Sequence, residues 1–316
     1  RIARGNARQL LQGELMRYTN GNTTVTIEND GTKVREWDGM AVPKHPESID
    51  LKITDYCDLG CAYCHESSTV AGRHASIASI EHVIDGLPAG VEIAVGGGDP
   101  LSHPELIEVL QAMRNKGLIP NITINQGHVL RNRDLITKLI DDGLVYGVGV
   151  SITSRNEEAL DFVAERTPNL VIHIIAGVHD SSILKRDAKF LVLGYKQFGR
   201  GVEAYSESVG KSIQKWRMML PLYLGYRHLS FDNLAIEQLR LRKMLPPSAW
   251  EKFYMGDDFT FTMYADAVKR EYAPTSRSSN RTSFSAMSTL EFFSTRACAT
   301  PKPTPVNLGP PGTNAS

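Results

Sequence analysis

Between Ile49 and Tyr195 the chain alternates short apolar runs with stretches of helical periodicity, six times over, at a spacing of about 25–28 residues. No other feature constrains the fold as tightly. The apolar runs are Ile49–Thr54, Val91–Val95, Pro120–Ile124, Val145–Ile152, Leu170–Ile175 and Phe190–Tyr195. Helical patterns fill the gaps at Ser79–Leu87, Pro104–Lys116, Asp134–Asp142, Glu157–Glu165 and, more weakly, Asp180–Ala188. Pro104 opens one of these helices, and Gly117 and Gly143 stop two of them. Near-continuous apolar strands joined by helices form a parallel sheet with its outer face covered. Right-handed crossovers curl such a sheet into an open or closed barrel. Six units are fewer than the eight of a closed barrel. The expected class is therefore α/β, with ligands gathered at the carboxyl ends of the strands.

The flanks carry weaker patterns. Residues 1–46 are expected to form an extension made of a helix and a hairpin. The helix would span residues 1–18, using Ile2, Leu10, Leu11, Leu15 and Met16 as its apolar face, and the hairpin pairs Thr24–Ile27 with Lys33–Trp37 across Asn29-Asp30-Gly31. The core barrel is assigned to residues 47–235, with a strand at His228–Phe231 and a helix at Asn233–Lys243 adding one more unit. Residues 236–300 form an α+β extension: paired strands at Phe259–Ala265 and Ala267–Ala273, a polar loop at Ser276–Ser285 and a short helix at Ser288–Ala297. Residues 301–316, rich in Pro, Gly, Asn and Thr, are expected to be disordered. The 35 basic and 35 acidic residues cancel, so net charge gives no reason for strong nucleic-acid binding, although a local basic patch is compatible with it. No run approaches 18 apolar residues, so no membrane span is expected.

Directly after the first apolar run stand Cys57, Cys61 and Cys64, three of the four cysteines in the chain. Such clustering points to a metal site rather than a disulfide framework. Cys61-Ala62-Tyr63-Cys64-His65 matches the haem attachment pattern, and Cys61 with Cys64 matches a redox dithiol. Both readings leave Cys57 unused. A structural zinc site wants four ligands, and His65, next to Cys64, is poorly placed to be one. Taken whole, the C-x3-C-x2-C spacing suits an iron–sulfur cluster with one iron left open.

With Tyr63 just before the last cysteine, this stretch resembles the radical S-adenosylmethionine (radical SAM) superfamily, and the order of elements extends the resemblance roughly from Ile49 to Asp232. The resemblance implies a partial (β/α)6 TIM-type barrel. It implies a 4Fe-4S cluster on Cys57, Cys61 and Cys64, with S-adenosylmethionine on the open iron. Read alone, Gly96-Gly97-Gly98-Asp99-Pro100 is a turn. Beside the cluster it resembles the superfamily's Gly-Gly-Glu motif, so Gly97, Gly98 and Asp99 are expected to orient the cofactor's amino group, with Asp99 where Glu is more usual. Tyr63 is expected near the adenine, and Asn125 and Ser151, at strand ends, near the ribose or carboxylate. His173 reads more readily as a core histidine. Tyr195, Lys196 and Arg200, in the segment after the sixth strand, either line a substrate mouth or belong to a solvated loop.

The implied chemistry is reductive cleavage of S-adenosylmethionine to methionine and a 5′-deoxyadenosyl radical, which takes hydrogen from the substrate. Beyond the trio only Cys298 remains, too few thiols for a second cluster. A single-cluster enzyme follows, acting on a small molecule or nucleoside by isomerisation, dehydrogenation, epimerisation or ring rearrangement. Tailoring of a peptide or modified base in a macromolecule is the alternative, and a non-catalytic electron-transfer or binding protein is an alternative of another class. An electron donor such as flavodoxin or ferredoxin is implied. Sparse cysteines and an oxygen-sensitive cluster favour the cytoplasm. No catalytic side chain is assigned.

Overall fold

The computed structural model describes residues 14–37, 39, 41–153, 157–225 and 228–295. Its first elements are β1 (Glu14–Asn20), β2 (Thr23–Glu28) and β3 (Lys33–Trp37), which form a three-stranded antiparallel sheet. The hairpin lies where the Asn29-Asp30-Gly31 turn predicts it. The helix expected over residues 1–18 does not hold over residues 14–18, which belong to β1, and residues 1–13 lie outside the described residues. In this segment Met16 and Tyr18 pack inward while Leu15 and Arg17 face out, a period of two that pairing with β2 rewards.

The second sheet has ten strands. Its centre is the predicted set: β4 (Ser48–Thr54), β5 (Glu92–Gly97), β6 (Ile119–Asn125), β7 (Gly147–Ser151), β8 (Leu170–Ile175) and β9 (Lys189–Leu193), all parallel and in sequence order. β10 (His228–Phe231) continues the parallel run beyond β9. On the opposite edge β11 (Thr262–Asp266) pairs parallel with β4, so a strand from the C-terminal part of the chain completes the wall beside the cysteine-bearing strand. β12 (Glu271–Ala273) and the short β13 (Thr282–Ser283) follow antiparallel. β13 lies inside the stretch expected to be a loop.

Helices cover the outer face. They are α1 (Ile77–Ile84), α2 (Leu106–Asn115), the single turn α3 (Gln126–Val129), α4 (Arg133–Asp141), α5 (Glu157–Ala164), α6 (Glu207–Met219), α7 (Asn233–Leu239), α8 (Pro247–Phe253) and α9 (Thr289–Ser294). Ser76 caps α1 through the Ser79 amide, and Ser288 with Glu291 forms a capping box on α9. Ile80, Val83 and Ile84 of α1 and Val109, Leu110 and Met113 of α2 meet Ile49, Leu51, Ile53, Ile93 and Val95 in one buried core. Each such side chain contributes roughly 1.5–3 kcal/mol on burial. The weak helix expected at Asp180–Ala188 is only a 3-10 turn, Ser181–Lys185. Its buried apolar residues, Ile183 and Leu184, are adjacent and make no stripe.

The small sheet closes the amino end of the barrel. Val25 and Ile27 pack against Ile119, with Met16, Tyr18 and Tyr146 around them. The Tyr146 hydroxyl donates to the Glu28 carbonyl at 2.5 Å, Asn169 Nδ2 donates to the Asn29 carbonyl at 3.2 Å, and Lys189 donates to that of Asp30. The contacts lie at the starts of β6, β7, β8 and β9. The opposite end, where the strands finish, is where polar loops collect. Among the described residues no helix is long and apolar enough to cross a membrane. Cys298 and residues 301–316 lie outside the described residues.

Candidate functional site

β4 ends at Thr54, and the chain leaves it into the loop that carries Cys57, Cys61 and Cys64. All three thiols are free and half-buried. The loop is pinned at both ends: the Cys57 amide donates to the Thr69 carbonyl at 3.0 Å, and the Cys64 amide to that of Cys61 at 3.2 Å. Burial pushes the Cys61 thiol up, and the neighbouring Cys57 and Cys64 sulfurs add to the rise. The Cys61 sulfur thus feels both other thiols, an arrangement that a bound cation would relieve.

Two other loops clamp this one. The first is Gly96–Asp99, at the end of β5. Gly98 N donates to Thr54 O at 2.8 Å and Asp99 N to Tyr56 O at 2.6 Å. The glycines allow this approach: a Cβ on Gly97 would lie 2.4 Å from Thr54 O at a φ of +119°, and one on Gly98 would lie 2.1 Å from Tyr56 O. The close partner is thus the cysteine loop's own backbone. Asp99 is 1% exposed. Its carboxylate accepts from Leu101 N at 3.2 Å and Ser102 Oγ at 2.5 Å, and His128 Nδ1 stands 3.1 Å away. The Asp99 side chain is therefore engaged within the protein, while Gly96 is half-buried and Gly97 exposed.

The second clamp is the loop after β9. Arg200 donates from its amide to Cys64 O at 3.1 Å, from Nε to Cys61 O at 2.9 Å and from Nη1 to Ser68 O at 2.9 Å. Its contacts are with the cysteine loop. Tyr195 is 2% exposed, and its hydroxyl donates to Gly201 O at 2.8 Å, which braces the same loop. Of the three residues expected at a substrate mouth, Lys196 is the one that lines an interior cavity.

His128 was not anticipated. It lies on α3, fully buried, and joins the two acidic loops: Nε2 is 3.0 Å from Asp58 Oδ1 while Nδ1 faces Asp99. Its ring nitrogen, the Cys57 sulfur and an Asp58 oxygen all lie within 4.8 Å of one another. Burial alone would lower its pKa, but Asp99, Cys57 and Asp58 together push it up to about 9, so it carries a positive charge at neutral pH. Arg131 grips Asp58 with two bonds, at 2.6 and 2.7 Å, and with His128 holds its carboxyl well below the usual range. The available signal was position: His128 follows the end of β6 by three residues.

Beneath the cysteine loop lies a second unanticipated network. Lys52, 3% exposed, meets Asp55 at 2.5 Å, Glu66 at 2.8 Å and Asp266 at 3.2 Å. Tyr264 donates to Glu66 at 3.2 Å, and His65 Nε2 lies 3.3 Å from Glu66 and 3.2 Å from Lys196 Nζ. His65 is thus drawn into this network through Nε2.

At the strand ends Asn125, Ser151 and His173 form one row, because Asn125 registers with Ser151 and Ser151 with His173. Asn125 also caps α3, accepting from Gly127 N at 2.9 Å. His173 points into the barrel, where burial lowers its pKa to about 4. Tyr63 stands edge-to-face with His179, ring centroids 6.1 Å apart. Burial, then the Cys61 and Cys64 thiols, push the Tyr63 hydroxyl up to about 12. Among the described residues Tyr63 Oη is buried without a hydrogen-bond partner. Such an orphaned atom suits the polar edge of a purine or ribose. The three thiols and this orphaned hydroxyl together fit a cluster with a nucleoside cofactor beside it.

Residues 51–205 match the family model of the radical SAM superfamily. A GTP 3′,8-cyclase of Alkaliphilus oremlandii is 27% identical over 114 residues, 34% of this chain and 35% of the relative. An AdoMet-dependent heme synthase of Methanosarcina barkeri is 28% identical over 126 residues, 39% and 35% of the two chains. The matched stretch thus spans about a third of the length of these curated relatives. Among solved structures, Streptococcus suis SuiB bound to S-adenosylmethionine superposes with a TM-score of 0.52 at 12% identity, over 80% of this chain and 64% of that one. The same protein bound to its precursor peptide SuiA gives 0.53, again at 12% identity, over 80% and 65%. At that identity the likeness concerns the fold alone.

Proposed function

The chain is a member of the radical SAM superfamily, through the domain at residues 51–205, and from that premise we propose that it abstracts hydrogen from a small-molecule or nucleoside substrate held inside the barrel. The supporting observation is the placement of three free thiols on the loop that ends β4, over a barrel interior lined by polar side chains. Cys57, Cys61 and Cys64 would hold the 4Fe-4S cluster. Bound there, the cluster and S-adenosylmethionine supply a one-electron reduction that makes an unactivated C–H bond reactive.

The protein's own part is orientation and exclusion of water. Arg200 and the Gly96–Asp99 loop hold the cysteine loop from two sides, so the sulfurs keep a fixed geometry. Asp99, engaged by Ser102 and His128, acts on the cofactor's amino group through the placement of the Gly96–Gly98 main chain rather than through its carboxylate. The Asn125–Ser151–His173 row offers donors and acceptors to the ribose, and Tyr63 packs beside the adenine. The small sheet seals the far end against solvent.

Tailoring of a peptide is the second reading, favoured by the fold shared with SuiB, whose structure with a precursor peptide is known. One assay tests the common core of both. After anaerobic reconstitution with iron and sulfide, dithionite and S-adenosylmethionine should yield 5′-deoxyadenosine, and Cys57→Ala, Cys61→Ala and Cys64→Ala should each abolish both cluster and product. Wild-type protein that assembles a cluster yet releases no 5′-deoxyadenosine would overturn the reading.

A further inference from the structure

Between β10 and β11 the barrel wall does not close, and residues from both strands line a cavity of about 270 Å³ in that gap. The cavity reaches inward to Asp50, in the middle of β4, and to Lys196. Asp50 is ringed by protein on its strand, yet its side chain is exposed and opens to the cavity. Among the described residues no hydrogen bond or ion pair engages its carboxylate. Asp232 shares the cavity, and its Oδ1 accepts from Gly194 N at 2.9 Å and Ala235 N at 2.7 Å.

The cations nearby are occupied. Lys196 Nζ donates to Ser276 Oγ at 3.0 Å and lies 3.2 Å from His65 Nε2, bonding neither acid. Arg35 is paired with Glu47 at 2.6 Å, and Arg277 with Asp258. Asp50 therefore faces the carboxyls of Asp232 and Glu66, with Lys196 as the facing cation among the described residues. Desolvation raises the Asp50 and Asp232 carboxyls, and Lys196 offsets part of the rise at each. Phe231, Leu234 and Met263 supply apolar surface to the same space. A carboxylate with no bonded partner, set in a cavity beside apolar wall, suits a cation on a hydrocarbon stem. Polyphosphate does not suit it, since the arginines already have partners.

We propose that this cavity binds a ligand carrying a protonated amine on an apolar stem, with the amine on Asp50. The proposal rests on the barrel interior being the substrate chamber, as read above, and assigns the class of substrate. The amine belongs either to a free metabolite or to a lysine side chain in a peptide.

The test needs no cluster. Binding of n-pentylamine, pentan-1-ol and pentanoate to the full chain is measured by ligand-observed NMR and calorimetry at neutral pH. Pentylamine should bind in preference to both others. Asp50→Asn should weaken it roughly tenfold or more, Asp50→Glu should retain part of it, and Lys196→Met, which removes the competing cation, should tighten it. Equal binding of pentylamine to wild type and Asp50→Asn, or preference for pentanol or pentanoate, overturns the assignment. If Asp50→Asn fails to fold, the opposite-signed Lys196→Met result and the three-ligand comparison on wild type still decide. Acetyl-Gly-Gly-Lys-Gly-Gly-amide, run beside pentylamine, separates the two sources: tighter binding of either one supports the assignment and names its origin. Wild type that ignores pentylamine but releases 5′-deoxyadenosine sinks this inference alone, whereas absence of 5′-deoxyadenosine sinks the reading beneath it.

Discussion

Along β4, Ile49, Leu51 and Ile53 point toward the helices and are almost completely buried, whereas Asp50, Lys52 and Thr54, one step out of phase, point into the barrel. The same split runs across β5 to β8. Ile93, Val95, Val150 and Ile172 serve the outer core, while Gly96, Thr123, Gly149 and His173 line the inside. The outer face is held by area removed from water, which is tolerant of detail. The inner face is held by paired charges, which fail when one member is lost. Small residues on β7 make room for the polar side chains beside them: a Cβ on Gly147 would lie 2.7 Å from Asn121 Oδ1, and one on Gly149 2.6 Å from the His173 ring.

Three substitutions test this contrast. Lys52→Met should have the largest effect: it leaves Glu66, Asp55 and Asp266 without their shared cation, at a cost of about 3–5 kcal/mol in a urea titration. A neutral outcome would mean that the inner network is replaceable scaffold. Leu51→Ala, next in sequence but on the outer face, should cost about 2–4 kcal/mol, with no change in the salt dependence of stability. A salt-dependent loss there would blur the two faces.

The smallest effect is expected at His173, whose pKa is lowered to about 4 by burial. A depressed histidine is neutral in the folded state while the unfolded chain takes up a proton below its ordinary value of about 6.5. Stability therefore falls as pH drops from about 6.5 toward 4, by at most ~1.4 kcal/mol per pH unit. His173→Gln should flatten that decline by one proton's share when urea midpoints are compared at neutral and mildly acidic pH. An unchanged slope would place His173 in solvent.

The outer face was legible in the sequence because its rule is local. Leu170–Ile175 is a mostly apolar run between Asn169 and Ala176-Gly177, and the strand has those bounds. The cysteine trio was legible for the same reason: its members lie within eight positions. Residues 14–18 misled because Leu10, Leu11, Leu15 and Met16 mimic a helical stripe, while the alternation of Met16 and Tyr18 acquires meaning only beside β2. α6 went unassigned, although Val209, Ile213 and Trp216 keep helical spacing among polar neighbours. The inner face was not legible because its partners are remote. Asp58 and His128 are 70 residues apart, and Glu66 and Tyr264 are 198 apart. Within β4, Asp50 and Lys52 look like ordinary solvent-side alternation until the strand curls and turns that side inward.

The pairing of β11 with β4 also bears on how the protein is made. A chain emerging from the ribosome has β5 ready soon after β4, but it must wait for β11 before the other edge of β4 finds its partner. Until then Lys52 lacks Asp266, Glu66 lacks Tyr264, and the cysteine loop stands on an incomplete floor. Iron and sulfide are therefore best delivered to the released polypeptide, and a nascent chain stalled before β11 is the form most exposed to oxidation of its thiols.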